Sequence, residues 1–264
     1  DRALDRLRFE EAFTLQVVLA LRRAEVRALP ATRRVPEHSP LLAAFDDRLP
    51  FELTAGQREV AATIEADLAE SHPMHRLLQG DVGSGKTVVA LRAMLRVVDA
   101  GGQAALLAPT EVLAAQHFRS ITALLGPLAA RGQLGGADVA TRVSLLTGSL
   151  RTAQRRRELL DIVSGDAGIV VGTHALIQET VDFHDLALVV VDEQHRFGVE
   201  QRAALAAKAR DGSRPHVLVM TATPIPRTVA MTVFGDVAVS TLTELPAGRA
   251  PITTHVVVRH EQPT

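Results

Sequence analysis

Apolar positions Leu4, Leu7, Phe13, Val17, Leu21 and Leu29 recur at helical spacing among many charges, which predicts one long amphipathic helix over residues 1–29. Acids interrupt its basic face, which favours a packing or connecting role over a membrane-surface one. Prolines at 30, 36, 40 and 50, with Arg33 and Arg34 between them, predict a linker over residues 30–50 and a domain boundary near residue 50. From Phe51 onward, helical periodicity alternates with short apolar or β-branched runs. Helices are expected over 55–70, 86–99, 111–124, 151–163, 199–209 and 226–233. Strands are expected over 76–79, 104–108, 142–146, 168–171, 186–191, 216–220 and 237–241. The strands are unbroken apolar runs, as in Ala187, Leu188, Val189, Val190 and Val191, which indicates burial on both faces. The expected fold class is therefore α/β, a parallel sheet with helices on both faces and a long N-terminal helix before it. Residues 126–141, with Gly132, Gly135 and Gly136, read as a flexible surface excursion.

Composition narrows the setting. At 264 residues and 47% hydrophobic content, one large α/β core with extra helix is expected. Cysteine is absent, which excludes disulfides, thiolate zinc sites and a cysteine nucleophile, and a cytoplasmic location is expected. No apolar run has bilayer length, and residues 1–30 carry acids and arginines throughout, so neither a membrane partner nor a signal peptide is expected. A net charge of −1 gives no global basic field. The aromatic residues are eight Phe with no Trp or Tyr, which argues against a base-stacking platform and directs any nucleic-acid contact to the phosphate backbone.

Candidate chemistry centres on Gly80, Asp81, Val82, Gly83, Ser84, Gly85, Lys86 and Thr87, a complete GxxxxGK[ST] loop between a predicted strand and a predicted helix. Glycines let backbone N–H groups curl around phosphates, and the following helix presents its positive end. Lys86 suits the β- and γ-phosphates of a nucleotide, and the Thr87 hydroxyl suits Mg²⁺. Of 29 Lys plus Arg, only Lys86 and Lys208 are lysine, so an arginine-preferring sequence keeps a compact ammonium here. A second acidic signal, Asp192, Glu193, Gln194 and His195, directly follows a buried strand. Asp192 would hold Mg²⁺ through water, and Glu193 would orient and deprotonate the attacking water. His195 has no companion at metal-ligand spacing, so a coupling hydrogen bond is expected of it instead.

In order along residues 51–252 stand Leu53-Thr54 with Gln57, GDVGSGKT at 80–87, APTE at 108–111, Thr147-Gly148, Gly172-Thr173-His174, DEQH at 192–195 and Thr221-Ala222-Thr223. This series resembles the first motor lobe of superfamily 2 helicases, a RecA-like P-loop NTPase fold. The strings GDVGSGKT, APTEVLAAQH, GTHALI, DEQHRFGVEQR and TATPIPRT together resemble the RecG family of ATP-dependent DNA helicases, which remodel branched DNA. The translocase lobe of transcription-repair coupling factors carries a TATPIPRT-like string and is the nearest alternative.

The resemblance implies ATP and Mg²⁺ as cofactors and DNA, as forks or junctions, as partner, with a monomer expected. It implies adenine recognition by Gln57, DNA contacts from Thr110, Thr147, Thr173 and His174, and coupling of the two sites by Thr221 and Thr223. Arg196, Phe197 and Arg227 are family-like without an assigned role. The arginine run at 155–157 reads as a solvated helix face. The expected organisation is a connecting helix and linker over 1–50, an ATP-binding lobe over 51–247, and a linker with the first strand of a second lobe over 248–264. An arginine finger and a DNA-binding wedge would come from parts of a longer enzyme, so the fragment alone is expected to bind ATP weakly with little turnover. A transporter-type ATPase, a small-metabolite kinase and a nucleotide-dependent interaction module are the rival classes. Glu193 argues against the last, since a pure switch needs no base beside its Mg²⁺ carboxylate.

Overall fold

The computed structural model describes residues 2–178, 180–192, 212–223 and 237–244. The helices expected over 199–209 and 226–233, the second-lobe strand expected within 248–264, and Glu193, His195, Arg196, Phe197 and Arg227 lie outside the described residues. So do residues 245–264.

The apolar runs pair into a parallel sheet of seven strands among the described residues: β1 (His75–Gly80), β2 (Gln103–Leu107), β3 (Arg142–Leu146), β4 (Ala167–Gly172), β5 (Leu186–Asp192), β6 (His216–Thr221) and β7 (Ala238–Leu242). Their order is β3-β4-β2-β5-β6-β1-β7. Pairing is in register across the whole width: Leu146, Gly172, Leu107, Val191, Val219, Leu77 and Val239 form a single transverse row. Register irregularities fall between Gln103 and Ala104 and between Arg142 and Val143, at the N-terminal ends of β2 and β3. The carboxyl ends, where ligands of such sheets bind, stay aligned.

Side chains alternate between two buried layers. One face carries Leu78, Leu106, Val190, Leu218 and Met220 and packs under α2 (Pro40–Arg48), α3 (Ala55–Leu68), α4 (Lys86–Asp99) and α5 (Glu111–Leu125). The other carries Leu77, Leu107, Val189, Val191 and Val219 and packs under α6 (Thr152–Ser164), Leu176, Val181 and Phe183. This is the RecA-like arrangement, with helices on both faces, and the long helix α1 (Arg2–Arg27) precedes it.

Three expectations change. Residues 40–48 form a helix inside the expected linker, because Pro40 sits at the first helical position and Leu41, Leu42 and Phe45 repeat on one face and bury. The Asp99 carboxylate accepts from the N–H groups of Leu41 and Leu42 at 3.1 and 3.0 Å, so the core extends upstream of residue 50. The five apolar positions noted on α1 are all exposed, as is Leu29 beyond its end, and among the described side chains of α1 Leu19 is the one that buries. Within 126–141, Gly126–Ala129 make a 3₁₀ turn and Ala130 bridges Arg142, so part of that excursion is ordered.

Two polar ties fix the N-terminal edge of the sheet. The Arg34 guanidinium donates to both Asp185 oxygens at 2.6 and 2.7 Å. His216 is 1% exposed; its Nδ1 accepts from the Met74 N–H at 3.1 Å and its Nε2–H donates to the Thr32 carbonyl at 3.3 Å. Burial holds this imidazole neutral, pushing its pKa down to about 4.

Candidate functional site

The phosphate loop joins β1 to α4, as its sequence context predicts. Gly83 and Gly85 have φ of 85° and 89°, conformations that a side chain resists. Gly85 is the N-cap of α4 and offers no side-chain acceptor, so the helix start keeps its polarity toward a ligand. The Lys86 ammonium lies over the loop, donating to the carbonyls of Gly80 and Asp81 at 2.7 and 2.9 Å. A cavity of about 560 Å³ opens against Val82, Gly83, Gly85, Lys86 and Thr87, with Phe51, Gln57, His117 and Asp192 on its other walls. Gly80, Asp81 and Ser84 do not line it, and the Ser84 side chain is fully buried.

Gln57 has a structural task that its spacing did not reveal. Thr54 and Gln57 form a reciprocal capping box: the Gln57 N–H donates to Thr54 Oγ1 at 3.2 Å, and the Thr54 N–H donates to Gln57 Oε1 at 2.9 Å. The Gln57 Nε2–H then donates to the Ser84 carbonyl at 2.8 Å, bracing the phosphate loop against α3. A Cβ at position 85 would collide with that amide. A primary amide has two N–H groups and two lone pairs, so these bonds leave one of each for a purine. The Glu244 carboxylate also reaches the start of α3, accepting from the Gly56 N–H at 3.1 Å; a hydrogen bond from the Thr54 hydroxyl and then that backbone bond hold it below the usual carboxylate range.

Strand register brings Asp192 to the same cavity. It pairs with Met220, which pairs with Leu78, two residues before the loop begins. Alternation along β5 turns Asp192 toward the face covered by α4 and α5, since Val190 packs there and Val191 packs on the opposite face. On that face the His117 imidazole donates from Nε2 to Asp192 Oδ2 at 2.6 Å. Thr221 follows Met220 on β6; it is 2% exposed, and its Oγ1 accepts from the Thr223 N–H at 3.1 Å.

The remaining motif residues lie along the same carboxyl edge. Thr110 is exposed and caps α5, its hydroxyl accepting from the Leu113 N–H at 3.3 Å. Thr173 is 2% exposed and accepts from the Ala175 N–H at 3.5 Å, while His174 beside it is exposed. Thr147 is 4% exposed, with its hydroxyl 3.4 Å from that of Ser149. Local capping thus accounts for Thr110 and Thr173 as acceptors, and each hydroxyl still carries a proton to donate. Glu111, at the first position of α5, accepts from the Ser149 hydroxyl and backbone N–H at 2.5 and 3.1 Å; the hydroxyl bond first, and the backbone bonds with it, lower its carboxyl pKa. The ends of β2 and β3 are clamped together by this contact.

The residues present fit a nucleotide with Mg²⁺. Thr87 and Asp192 supply a hydroxyl and a carboxylate facing one cavity, and the described residues contain no cluster of three His, Cys, Asp or Glu that would hold a metal by itself. Mg²⁺ is bound in just that way, by few protein oxygens together with phosphate oxygens and water. Sequence reasoning assigned no cavity role to Phe51, or to Leu113, Gln116 and His117 within the APTEVLAAQH string, because each is far along the chain from the phosphate loop.

Comparison with known proteins agrees with the fold. The RecG ATP-dependent DNA helicase of Mycobacterium tuberculosis is 60% identical over 263 residues, covering 100% of this chain and 36% of that protein. RecG of Synechocystis is 50% identical, covering 98% of this chain and 29% of that protein. A solved structure of RecG bound to a three-way DNA junction matches with a TM-score of 0.78 at 37% identity, over 94% of this chain and 31% of that one. The chain therefore spans about a third of the length of these relatives. The DEAD/DEAH box helicase family matches residues 54–232, about two thirds of the chain. With this match over the phosphate loop, the Asp192 strand and the motif edge, and RecG helicases similar along its whole length, the chain belongs to the DEAD/DEAH box helicase family.

Proposed function

We propose that this chain is the ATP-binding motor lobe of a DNA helicase or translocase that couples ATP hydrolysis to remodelling of branched DNA in recombination and fork repair. One observation carries the reading: a single cavity joins the phosphate loop to Asp192, and the same sheet edge continues into the exposed Thr110 and His174. In this reading Lys86 leaves the loop carbonyls for the β- and γ-phosphates, and Gln57 reads the adenine edge with its remaining N–H and lone pair. Thr87 and Asp192 would hold Mg²⁺, which would supply charge neutralisation for the nucleotide phosphates. Glu193 takes the proton of the attacking water, and His195 with Thr221 and Thr223 passes the state of the nucleotide toward the DNA face.

Thr110 and His174 contact the phosphate backbone directly, and the buried Thr147 and Thr173 shape the loops whose backbone N–H groups do so. The RecG relatives are roughly three times as long as this chain, which supports a second motor lobe and a DNA-binding module in the same protein. The arginine finger that completes hydrolysis belongs to such a lobe, so this lobe alone turns over slowly. The test is ATPase of the intact protein on forked, duplex and single-stranded DNA at one stated salt concentration. Forked DNA is expected to stimulate most. Equal stimulation by single strands refutes the branched-DNA reading, and no stimulation by any DNA refutes the motor reading.

A further inference from the structure

The strongest unexplained contact in the cavity is the one between His117 and Asp192. It joins residues 75 positions apart at 2.6 Å, and the two side chains are only 15% and 16% exposed. An ionised carboxylate has no proton to give, so Nε2 carries the hydrogen and Oδ2 accepts it. One oxygen of Asp192 is thereby fixed by α5, and the other remains for a metal-bound water.

The same helix reaches the opposite side of the proposed function. It begins at the exposed cap Thr110, and its first residue, Glu111, clamps Ser149 on the loop after β3. Ala114, Ile121 and Leu125 are fully buried along its inner face, so the helix is held along its length as one element between Thr110 and Leu125. Seven residues separate Thr110 from His117, about 10 Å of helix at about 1.5 Å per residue. One helix thus carries both the exposed cap Thr110 and the His117 contact to the Asp192 carboxylate, so a displacement of its start would alter that contact.

We propose that His117 is the positioning residue that transmits nucleic-acid occupancy at the start of α5 to the metal-holding carboxylate of Asp192. The proposal rests on the helicase motor reading above and adds a route between its two sites. Outer-shell partners of metal-holding groups set their orientation, and removing one typically weakens metal binding about tenfold or more. The link runs both ways, since coupling between two binding sites is reciprocal.

Two substitutions separate this role from simple packing. His117→Phe keeps the ring and removes the N–H; His117→Gln loses the ring and keeps an amide N–H able to reach Oδ2. The measurement is the Kd of a fluorescent ATP analogue for the intact protein, in Mg²⁺ and in EDTA, with and without forked DNA. Wild type is expected to show a DNA-dependent Kd in Mg²⁺. The Phe variant is expected to bind the Mg²⁺ complex about tenfold more weakly, to lose the DNA effect, and to match wild type in EDTA. The Gln variant is expected to keep most of the DNA effect.

The proposal is overturned if the Phe variant retains the wild-type DNA effect, or if binding weakens equally in Mg²⁺ and EDTA. It also fails if Gln is the more damaging change, since that order marks a packing role. Normal DNA stimulation of ATPase in the Phe variant sinks this route and leaves the motor reading intact. A wild-type protein with no DNA-stimulated ATPase sinks both.

Discussion

Stability of this lobe should fall steeply with acidification through a single buried imidazole. His216 is wedged between β1 and the segment before α2, with Nδ1 accepting from the Met74 N–H and Nε2–H donating to the Thr32 carbonyl. Protonating Nδ1 destroys the first bond and places a charge in the core. Desolvation, the largest cause, lowers its pKa from the ordinary 6.5 to about 4, and nearby Arg34 and His72 add to this while the Thr32 bond and Asp67 oppose it.

Between those two values the unfolded chain binds a proton that the folded chain refuses. Stability therefore declines as pH falls from about 6.5, by about 1.4 kcal/mol per pH unit, and levels off below about 4. The whole gap is worth about 3 kcal/mol, a large share of the about 5–15 kcal/mol by which a domain is folded. Above pH 6.5 the contribution is fully present and flat. The assay is equilibrium urea unfolding from pH 4 to pH 8 on wild type and His216→Gln, which keeps an acceptor and a donor without a titrating ring. The wild-type curve should lose about 3 kcal/mol more than the variant across that window. Parallel pH profiles for the two proteins refute the reasoning, because all other titrating groups are common to both.

Other perturbations address the nucleotide site. Gly85→Ala forces a left-handed φ on a side-chain-bearing residue and drives its Cβ into Gln57, so a loss of about 1–3 kcal/mol in thermal unfolding and weakened nucleotide binding are expected. Lys86→Ala in the intact protein should abolish ATP turnover, and unchanged turnover contradicts the phosphate role. Glu193→Gln should preserve nucleotide affinity and lose hydrolysis, and a steady-state ATPase rate equal to wild type contradicts its role as base.

Much of the fold was readable because both periodicities are strong. β5 was expected over 186–191 and runs Leu186–Asp192; β7 was expected over 237–241 and runs Ala238–Leu242. α2 was hidden by its own start signal, since proline density marks a linker unless Pro40 is recognised as a first helical residue with Leu41, Leu42 and Phe45 behind it. The phosphate loop was legible for a different reason: its chemistry is local, eight consecutive residues between two elements. His117 was not, because its meaning depends on Asp192, and only the strand order β2-β5 makes α5 and that carboxylate neighbours. Gln57 lies between these cases, visible as a polar residue at a helix start but silent about its grip on Ser84.

The transverse row of paired residues makes the sheet edge a ruler. From β3 to β1 it crosses five strand spacings, about 24 Å at about 4.8 Å each, and that distance is graduated by backbone hydrogen bonds. Connections such as residues 126–141 can lengthen without moving a mark on it. One residue inserted into β5 would turn every following side chain of that strand to the other face and send Asp192 away from α5. Both register irregularities sit at the far end of their strands, so the sheet absorbs its errors where nothing is measured.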